Sequence, residues 1–372
     1  MRLGVLLPPC WQRDLSALTM LAALQAHLAD DVDVLAPGDE LPEEVLAARP
    51  GWRARPWSTA ATVAADATAL PVGRGSADWL RARLVDSEAP VVLYVGDLGV
   101  APWQWAEADG RLRGLLTPEA DWQRLLSAAL PHLPVFHLPP CPLAPGGQAR
   151  QEPQHAPYVV TWGLIDPAWI EVIARASAPV LHQRGDAHLV VLGGEHRQLW
   201  DQWLRACGIT GRVRLLGPEA YARAATLIGG AAGVIVAPAP EGRSVALLDG
   251  LARALAPWVI TMPIEARGVS GGAPLLSERL QQALDASRQP PRQQVAALAA
   301  PAVDHRGCEG ELRAWLQACL EGGRGSARAP ASLVEESLYG LVSRSVASLG
   351  LERLPPGTSP ALARCITDLT RW

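Results

Sequence analysis

The sequence predicts an α/β protein with two doubly wound parallel-sheet domains in tandem. Short apolar runs alternate with longer segments of helical periodicity, a pattern typical of βαβ units. The alternation is interrupted by the segment APGGQARQEPQHAP, which is rich in proline, glycine and glutamine and has almost nothing to bury. At 372 residues the chain is also longer than one hydrophobic core usually supports.

The first series of elements begins with a strand in MRLGVLLPPCW, continues with a helix in DLSALTMLAALQAHLA and returns to a strand in DVDVLAP. Strand, helix and strand at this spacing favour a parallel sheet with covered faces. Further strands are predicted in APVVLYVGD, GLLT and LPVFHLPP, and a helix in PEADWQRLLSAAL, which opens on Pro118 and Glu119. The pattern predicts an N-terminal domain over residues 1–145 and a linker over 146–156.

The second series repeats this order over residues 157–325. Strands are predicted in PYVVTWGL, AHLVVLGG, RVRLLG, AGVIVAPAP and PWVITMP. Helices are predicted in PAWIEVIARAS, in RQLWDQWLRACG, in PEAYARAATLIGG and over residues 243–255. The run SLVEESLYGLVSRSVASLGL also has helical spacing, so closing helices are expected over 326–372.

Composition excludes several classes of function. A net charge of -4 argues against nucleic-acid binding. Lysine and asparagine are absent, so Schiff-base catalysis, a P-loop lysine and N-glycosylation are excluded. Six scattered cysteines without a C-x-x-C pair predict a reduced cytoplasmic protein without structural zinc. The most apolar run, AATLIGGAAGVIVAPAP, is broken by glycine and proline, so no membrane span is expected. Binding to a membrane surface is possible, but no feature of the sequence supports it.

The stretch APAPEGRSVALLDGLARALAPWVIT predicts a ligand site. Ligands of open parallel sheets bind beyond the carboxyl ends of the strands, where Glu241 is expected. Gly242, Arg243 and Ser244 would then open a helix whose free amides can hold an anion, and Asp249 lies about 12 Å further along an ideal helix axis. The alternative is that Glu241 caps the helix and Asp249 belongs to a solvated face.

Four residues at or after the ends of predicted strands of the N-terminal domain are candidates for contacts with a ligand. Asp97 is a candidate base or orienting group, although an aspartate at a strand end also caps turns. His137 is a second candidate, with a buried or turn histidine as the alternative. Trp11 and Trp103 could stack on a sugar ring, while most of the fourteen tryptophans are expected in the core.

The segment GVSGG, residues 268–272, matches the G-x-S-x-G motif of α/β-hydrolases. That motif requires its serine on the turn that directly follows a strand. The preceding strand is expected to end near Met262, which is too early. We therefore predict a glycine-rich loop that lines the ligand cleft.

The order of elements from LVVLGG through RVRLLG and EGRSVALLDG to APWVIT resembles the C-terminal domain of the retaining, nucleotide-sugar-dependent glycosyltransferases of family 4. Members share a strand that ends in a glycine pair and two acidic residues separated by seven others, followed by a helix of small residues. The resemblance covers residues 157–285 well and residues 1–145 in architecture only. It implies a GT-B fold, with two Rossmann-like domains facing across a cleft, and an active site that needs no metal or cofactor.

Residue roles follow from this resemblance alone. It implies that the acceptor side lies in the N-terminal domain, where the candidates are Asp97, His137, Trp11 and Trp103. It implies that Glu241 contacts the donor sugar, that residues 242–244 lie against the diphosphate, that Asp249 binds the ribose, and that Gly217 and Pro218 border the base pocket. The family's basic pair has no counterpart after TWGLIDP. The candidates to supply that charge are Arg13, Arg184, Arg197 and Arg243.

The resulting hypothesis is a hexosyltransferase that moves a sugar from a nucleotide-sugar donor, with retention, to a saccharide, a lipid-linked saccharide or a protein, as in cell-envelope or polysaccharide glycosylation. The first alternative is a non-catalytic GT-B module that serves as a partner or scaffold subunit. It is motivated by the missing basic pair and by PPCWQRDLSA, which replaces the family's first glycine pair. A nucleotide-sugar epimerase is the second alternative.

Overall fold

The computed structural model describes residues 2–9, 11–28, 32–37, 51–56, 67–72, 89–97, 111–130, 133–140, 156–217, 221–238, 244–262, 269–286 and 305–321. The chain divides into two compact units. The first combines Met1–Gly146, Gly242–Leu247 and Val303–Trp372, and the second combines Gly147–Glu241 and Leu248–Ala302. Each unit contains a parallel sheet with helices, so the predicted fold class of two α/β domains is confirmed.

The sheet of the first unit has seven parallel strands in the order β3-β2-β1-β4-β5-β6-β7. Its strands are Leu3–Leu6 (β1), Val32–Ala36 (β2), Trp52–Pro56 (β3), Ala67–Val72 (β4), Val91–Val95 (β5), Leu112–Thr117 (β6) and Val135–His137 (β7). The described helices that follow its strands are Leu15–His27 (α1) and Ala120–Ala129 (α2). Strand order reverses between β1 and β4, as in a doubly wound sheet.

Two strands of this sheet, β3 and β4, have no counterpart in the sequence prediction. Strand β3 lies at the edge of the sheet and carries two arginines in WRARP, so it lacks a continuous apolar run. Strand β4 is ATALPV, whose small residues and Pro71 weaken the strand signal. The other five strands coincide with predicted ones because apolar residues predominate in them, although β7 is only half-buried and β2 contains Asp33.

The sheet of the second unit has five parallel strands in the order β10-β9-β8-β11-β12. These are Tyr158–Trp162 (β8), His188–Leu192 (β9), Val213–Leu215 (β10), Gly233–Val236 (β11) and Val259–Thr261 (β12). Helices Ala168–Gln183 (α3), Arg197–Ala206 (α4), Tyr221–Gly229 (α5) and Ala246–Leu255 (α6) follow the first four strands in turn. All nine elements were expected from the sequence.

Helix α3 is longer than predicted. It continues past Ser177 through Pro179, which removes one backbone hydrogen bond of the helix. Val180 and Leu181 lie beyond this proline and are buried in the core. Their burial offsets the cost of the lost bond, so tertiary packing overrides the local signal.

A further helix, Val269–Ala286 (α7), corrects the prediction of a glycine-rich loop at 268–272. Residues 269–272 form the first turn of this helix. Leu276, Leu280 and Leu284 recur on one face of α7 and are buried, and the helix packs against α3. This apolar face stabilises a helix that begins with two glycines and contains Pro274.

The last described helix, His305–Glu321 (α8), belongs to the first unit. It packs on α1 and β6. The ring of Trp315 lies 5.6 Å from that of Phe136 between centroids, and a Cβ added to Gly114 would come within 2.6 Å of Trp315. Gly114 is therefore required for close packing of this helix on the sheet. The predicted linker, 146–156, and the predicted closing helices, 326–372, lie outside the described residues.

We found no helix in the described part of the chain that is long and apolar enough to cross a membrane.

Candidate functional site

Acidic side chains gather where strands of the first sheet end. Asp14 follows β1, Asp97 follows β5, and Glu119 and Asp121 follow β6. Because parallel strands share one carboxyl edge, these residues belong to the same edge of the sheet. Asp97 was predicted as a candidate base, whereas Asp14 and Glu119 were not predicted as site residues.

Asp14 lies close to Asp97. It forms the N-cap of α1, where its Oδ1 accepts a hydrogen bond of 3.1 Å from the amide of Ala17. Burial raises the pKa of Asp14, two backbone hydrogen bonds partly oppose this, and the charge of Asp97 raises the pKa further. Asp97 itself is only 5% exposed. Two neighbouring carboxyl groups, one of them buried, can orient or accept a proton from a hydroxyl group.

The close approach of α1 to β5 explains the glycine that precedes Asp97. A Cβ added to Gly96 would lie 2.8 Å from Oγ of Ser16, in the first turn of α1. The strand end therefore fits against the helix only without a side chain. This packing holds the first turn of α1, with Asp14, against the end of β5.

Glu119 contacts the segment that was predicted to bind the donor. It forms the N-cap of α2, but within the described residues its side chain caps no amide of that helix. Its Oε1 instead accepts a hydrogen bond of 2.7 Å from the hydroxyl of Ser244. Burial raises the pKa of Glu119, the bond from Ser244 opposes this, and Asp121 adds to the rise.

Ser244 is buried, with 4% exposure, and makes three hydrogen bonds in this structure. Its amide donates to the carbonyl oxygen of Gly96 at 3.3 Å, and its hydroxyl donates to Glu119 and accepts from the amide of Ala246 at 3.2 Å. Its polar groups are thus engaged by protein groups rather than presented to a diphosphate. Asp249, the predicted ribose ligand, lies half-buried in the first turn of α6.

The acceptor-side candidates differ in their surroundings. His137 is half-buried at the end of β7, and its Nε2 lies 3.2 Å from the carbonyl oxygen of Pro118. Burial lowers the pKa of His137, while the contact with Pro118 and the charge of Asp121 oppose this, so the ring is neutral at pH 7. Trp11 is 2% exposed and offers no free face to a sugar, which agrees with the alternative of a core tryptophan. Arg13 is exposed two residues later.

Glycines line the carboxyl edge of the second sheet. Gly163 follows β8 and Gly193 follows β9, and a Cβ on Gly163 would lie 2.8 Å from the carbonyl oxygen of Gly193. Gly193 has a φ of +107°, which favours glycine. His196 adopts a left-handed conformation before α4, whose first residue, Arg197, is exposed. Gly217, the predicted border of a base pocket, ends the described stretch after β10.

Arg184 is not available to the predicted ligand site. It follows the end of α3 and precedes β9, which places it at the amino edge of the sheet. Its side chain is 7% exposed and pairs with Asp285. Arg184 therefore stabilises the contact between α3 and α7 and does not supply the charge of a donor site.

Five predicted site residues lie outside the described residues: Pro218, Glu241, Gly242, Arg243 and Trp103. Their roles stay predictions. Where the structure is described, no three histidine, cysteine, aspartate or glutamate side chains come together as a metal site.

The chain matches no protein-family model and no curated protein. Among solved structures, HepE of Anabaena, determined with UDP and glucose, is 12% identical with a TM-score of 0.51, covering 85% of this chain and 99% of that one. Sucrose-phosphate synthase of Thermosynechococcus elongatus is 13% identical, with a TM-score of 0.47 and coverage of 94% and 98%. The E. coli ADP-heptose lipopolysaccharide heptosyltransferase II is 14% identical, with a TM-score of 0.44 and coverage of 78% and 100%. The similarity to HepE shows a shared fold.

Proposed function

We propose that this protein is a glycosyltransferase that uses a nucleotide-sugar donor. The observation that carries the proposal is Asp97, buried beside Asp14 at the end of β5, where the sequence resemblance predicts the acceptor side. The fold shared with HepE supports it. The spacing of Glu241 and Asp249 also supports the proposal, because seven residues separate them, as in family 4.

The chemistry requires a group that handles the proton of the acceptor hydroxyl. This hydroxyl loses its proton as its oxygen bonds to the anomeric carbon, while the bond from that carbon to the diphosphate breaks. In our proposal Asp97 accepts or orients this proton, which is the role of a general base. His137, which is neutral at pH 7, is a second group of the acceptor side.

The donor side is proposed from the resemblance. Glu241 contacts the sugar, Asp249 the ribose, and Gly217 with Pro218 the base. The leaving diphosphate carries negative charge, which arginine side chains such as Arg197, Arg243 and Arg13 neutralise. Retention, by attack on the face from which the phosphate leaves and with the assistance of that leaving phosphate, and independence of metals and cofactors are part of the proposal. The acceptor class is a saccharide, a lipid-linked saccharide or a protein, as in cell-envelope glycosylation.

Asp97→Asn tests the proposal because asparagine keeps the size of the side chain but is a poor base. The purified protein is incubated with UDP-, GDP-, ADP- and dTDP-sugars and a panel of acceptors, and the released nucleotide is measured. We expect the variant to lower kcat for transfer about a hundredfold and to leave nucleotide affinity unchanged. The matched control is Asp186→Asn, an exposed aspartate in the turn before β9.

Transfer at the wild-type rate by the Asp97 variant would contradict the role of this residue. A change of sugar configuration in the absence of any acceptor would instead identify an epimerase.

A further inference from the structure

In the part of the chain that the structure describes, the side chain of Glu119 makes no hydrogen bond to α2, although Glu119 occupies the N-cap position of that helix. Shorter polar side chains, such as aspartate, commonly accept a hydrogen bond from an amide of their own helix at this position. Glu119 reaches Ser244 instead, 125 positions along the chain, at 2.7 Å. Both residues belong to the first unit, because residues 242–247 group with it. The carboxylate of Glu119 therefore accepts its hydrogen bond from a segment distant in sequence and not from an amide of α2.

The bond from Ser244 to Glu119 continues into the start of α6. The amide of Ala246, the first residue of this helix, donates to the same hydroxyl that donates to Glu119. A charged acceptor polarises the hydroxyl, so the two consecutive hydrogen bonds strengthen each other. The amide of Ser244 is held separately by the carbonyl oxygen of Gly96. The chain is thus held at 244 and 246, and residue 246 begins the first turn of α6, which carries Asp249.

The backbone of Glu119 is also anchored. Its amide lies 3.5 Å from Oγ1 of Thr117, a fully buried residue at the end of β6, and its carbonyl oxygen accepts from the amide of Gln123 in α2. An acceptor on an ordered strand end and helix start holds its partner in one place. A mobile surface carboxylate would not do so.

We propose that Glu119 is a positioning residue of the donor site, which it serves by fixing Ser244 and hence the first turn of α6 with Asp249. This inference rests on the proposed function, because it takes Asp249 to be a nucleotide ligand. Glu119 contacts no donor atom and acts through Ser244. Small displacements of a binding group lower affinity and rate, so loss of this contact weakens donor binding.

The test compares Glu119→Ala, Glu119→Gln, Ser244→Ala and the double alanine variant in the full-length protein. Calorimetry with UDP, GDP, ADP and dTDP gives the affinity of each variant for whichever nucleotide the wild type binds. We expect each single alanine variant to weaken binding about tenfold, because binding must then order a turn that the hydrogen bond to the charged Glu119 orders beforehand. The double variant should lose no more than Ser244→Ala, because Ser244→Ala already removes the contact with Glu119 together with the bond from the amide of Ala246.

The Glu119→Gln variant distinguishes a positioning role of Glu119 from a general loss of structure. Glu119→Gln keeps an oxygen acceptor for Ser244, so it should restore most of the affinity. Amide hydrogen exchange of residues 246–249, measured without ligand, should be faster in Glu119→Ala than in the wild type. The control is Glu278→Ala, which removes an exposed glutamate from α7 and should leave both measurements unchanged.

The outcomes distinguish this inference from the proposed function. A wild type that binds one nucleotide, with equal affinity in Glu119→Ala, would overturn the inference alone. Unchanged exchange of residues 246–249, or an equal effect of Glu278→Ala, would also overturn it. A wild type that binds none of the four nucleotides would overturn both the proposed function and the positioning role.

Discussion

At the residue scale, the buried carboxylate of Asp33 shows how a charge is accommodated inside the first unit. It lies on β2 and is 2% exposed, and it accepts hydrogen bonds from Nε of Arg2 at 2.5 Å and from Nε of Arg55 at 2.6 Å. Burial would raise the pKa of Asp33, but the two arginines outweigh this and hold it below its usual value. These contacts join β1, β2 and β3 through side chains.

The lowered pKa of Asp33 makes stability depend on pH. The contribution of this group is present above its unfolded-state pKa, about 3.8, and is lost as the pH falls through the lower folded-state value. We expect Asp33→Asn to lower the free energy of unfolding by about 2 kcal/mol at pH 7, less than for a fully buried pair because both arginines are partly exposed.

Urea unfolding of both proteins between pH 7 and pH 3 checks this expectation. The difference between wild type and Asp33→Asn should shrink toward the acid end. A control is Glu171→Gln, from an exposed ion pair with Arg175, which should change the free energy of unfolding by about 0.5 kcal/mol or less. A difference that stays constant with pH would contradict the account.

Substitutions of Asp14 can distinguish the stabilising effect of its helix cap from the destabilising effect of its buried charge. Asparagine is as good an N-cap as aspartate, so Asp14→Asn keeps the bond to Ala17 and removes the repulsion from Asp97. We expect unchanged or slightly increased stability at pH 7 for Asp14→Asn and a loss of about 1 kcal/mol for Asp14→Ala. Thermal unfolding of the two variants measures this, and equal losses would show that the cap is unimportant.

At the element scale, the sequence predicted helices and strands where the apolar pattern is strong, and it missed β4, whose buried residues Ala67, Thr68 and Ala69 are small. It predicted β8 and β9 because their apolar runs are buried on both faces, and it missed β3 because an edge strand needs only one buried face. It did not predict α7, whose first residues include two glycines and a proline that resemble a loop. That helix is stabilised by the packing of its apolar face against α3, and such packing cannot be predicted from local helix propensity.

Gly114 tests the packing of α8 on the first sheet. Its added Cβ would lie 2.6 Å from Trp315, so Gly114→Ala should lower the free energy of unfolding by about 1–3 kcal/mol through overpacking. Gly211→Ala is the matched control, because nothing lies within 4 Å of a Cβ there. Chemical denaturation measures both variants, and equal stability of the two would contradict the contact between α8 and β6.

At the scale of the whole molecule, the alternation of strands and helices was enough to predict two parallel α/β sheets, because each element reports its own burial. The site was only partly predictable. Asp97 was predicted as a candidate from its place at a strand end, and its role stays a prediction, whereas Asp14 and Glu119 resemble ordinary helix caps in the sequence. Their relation to Asp97 and Ser244 is long-range, at 83 and 125 positions of separation (97 − 14 and 244 − 119), and no local pattern reports such contacts.

The central claim is that the protein binds a nucleotide-sugar donor, and calorimetric titration of the purified chain with UDP, GDP, ADP and dTDP tests it most directly. The account predicts that one nucleotide binds selectively and raises the unfolding temperature, and that Asp249→Asn and Arg243→Ala each weaken this binding. Binding of none of the four would contradict the transferase and favour a non-catalytic scaffold subunit with the same fold.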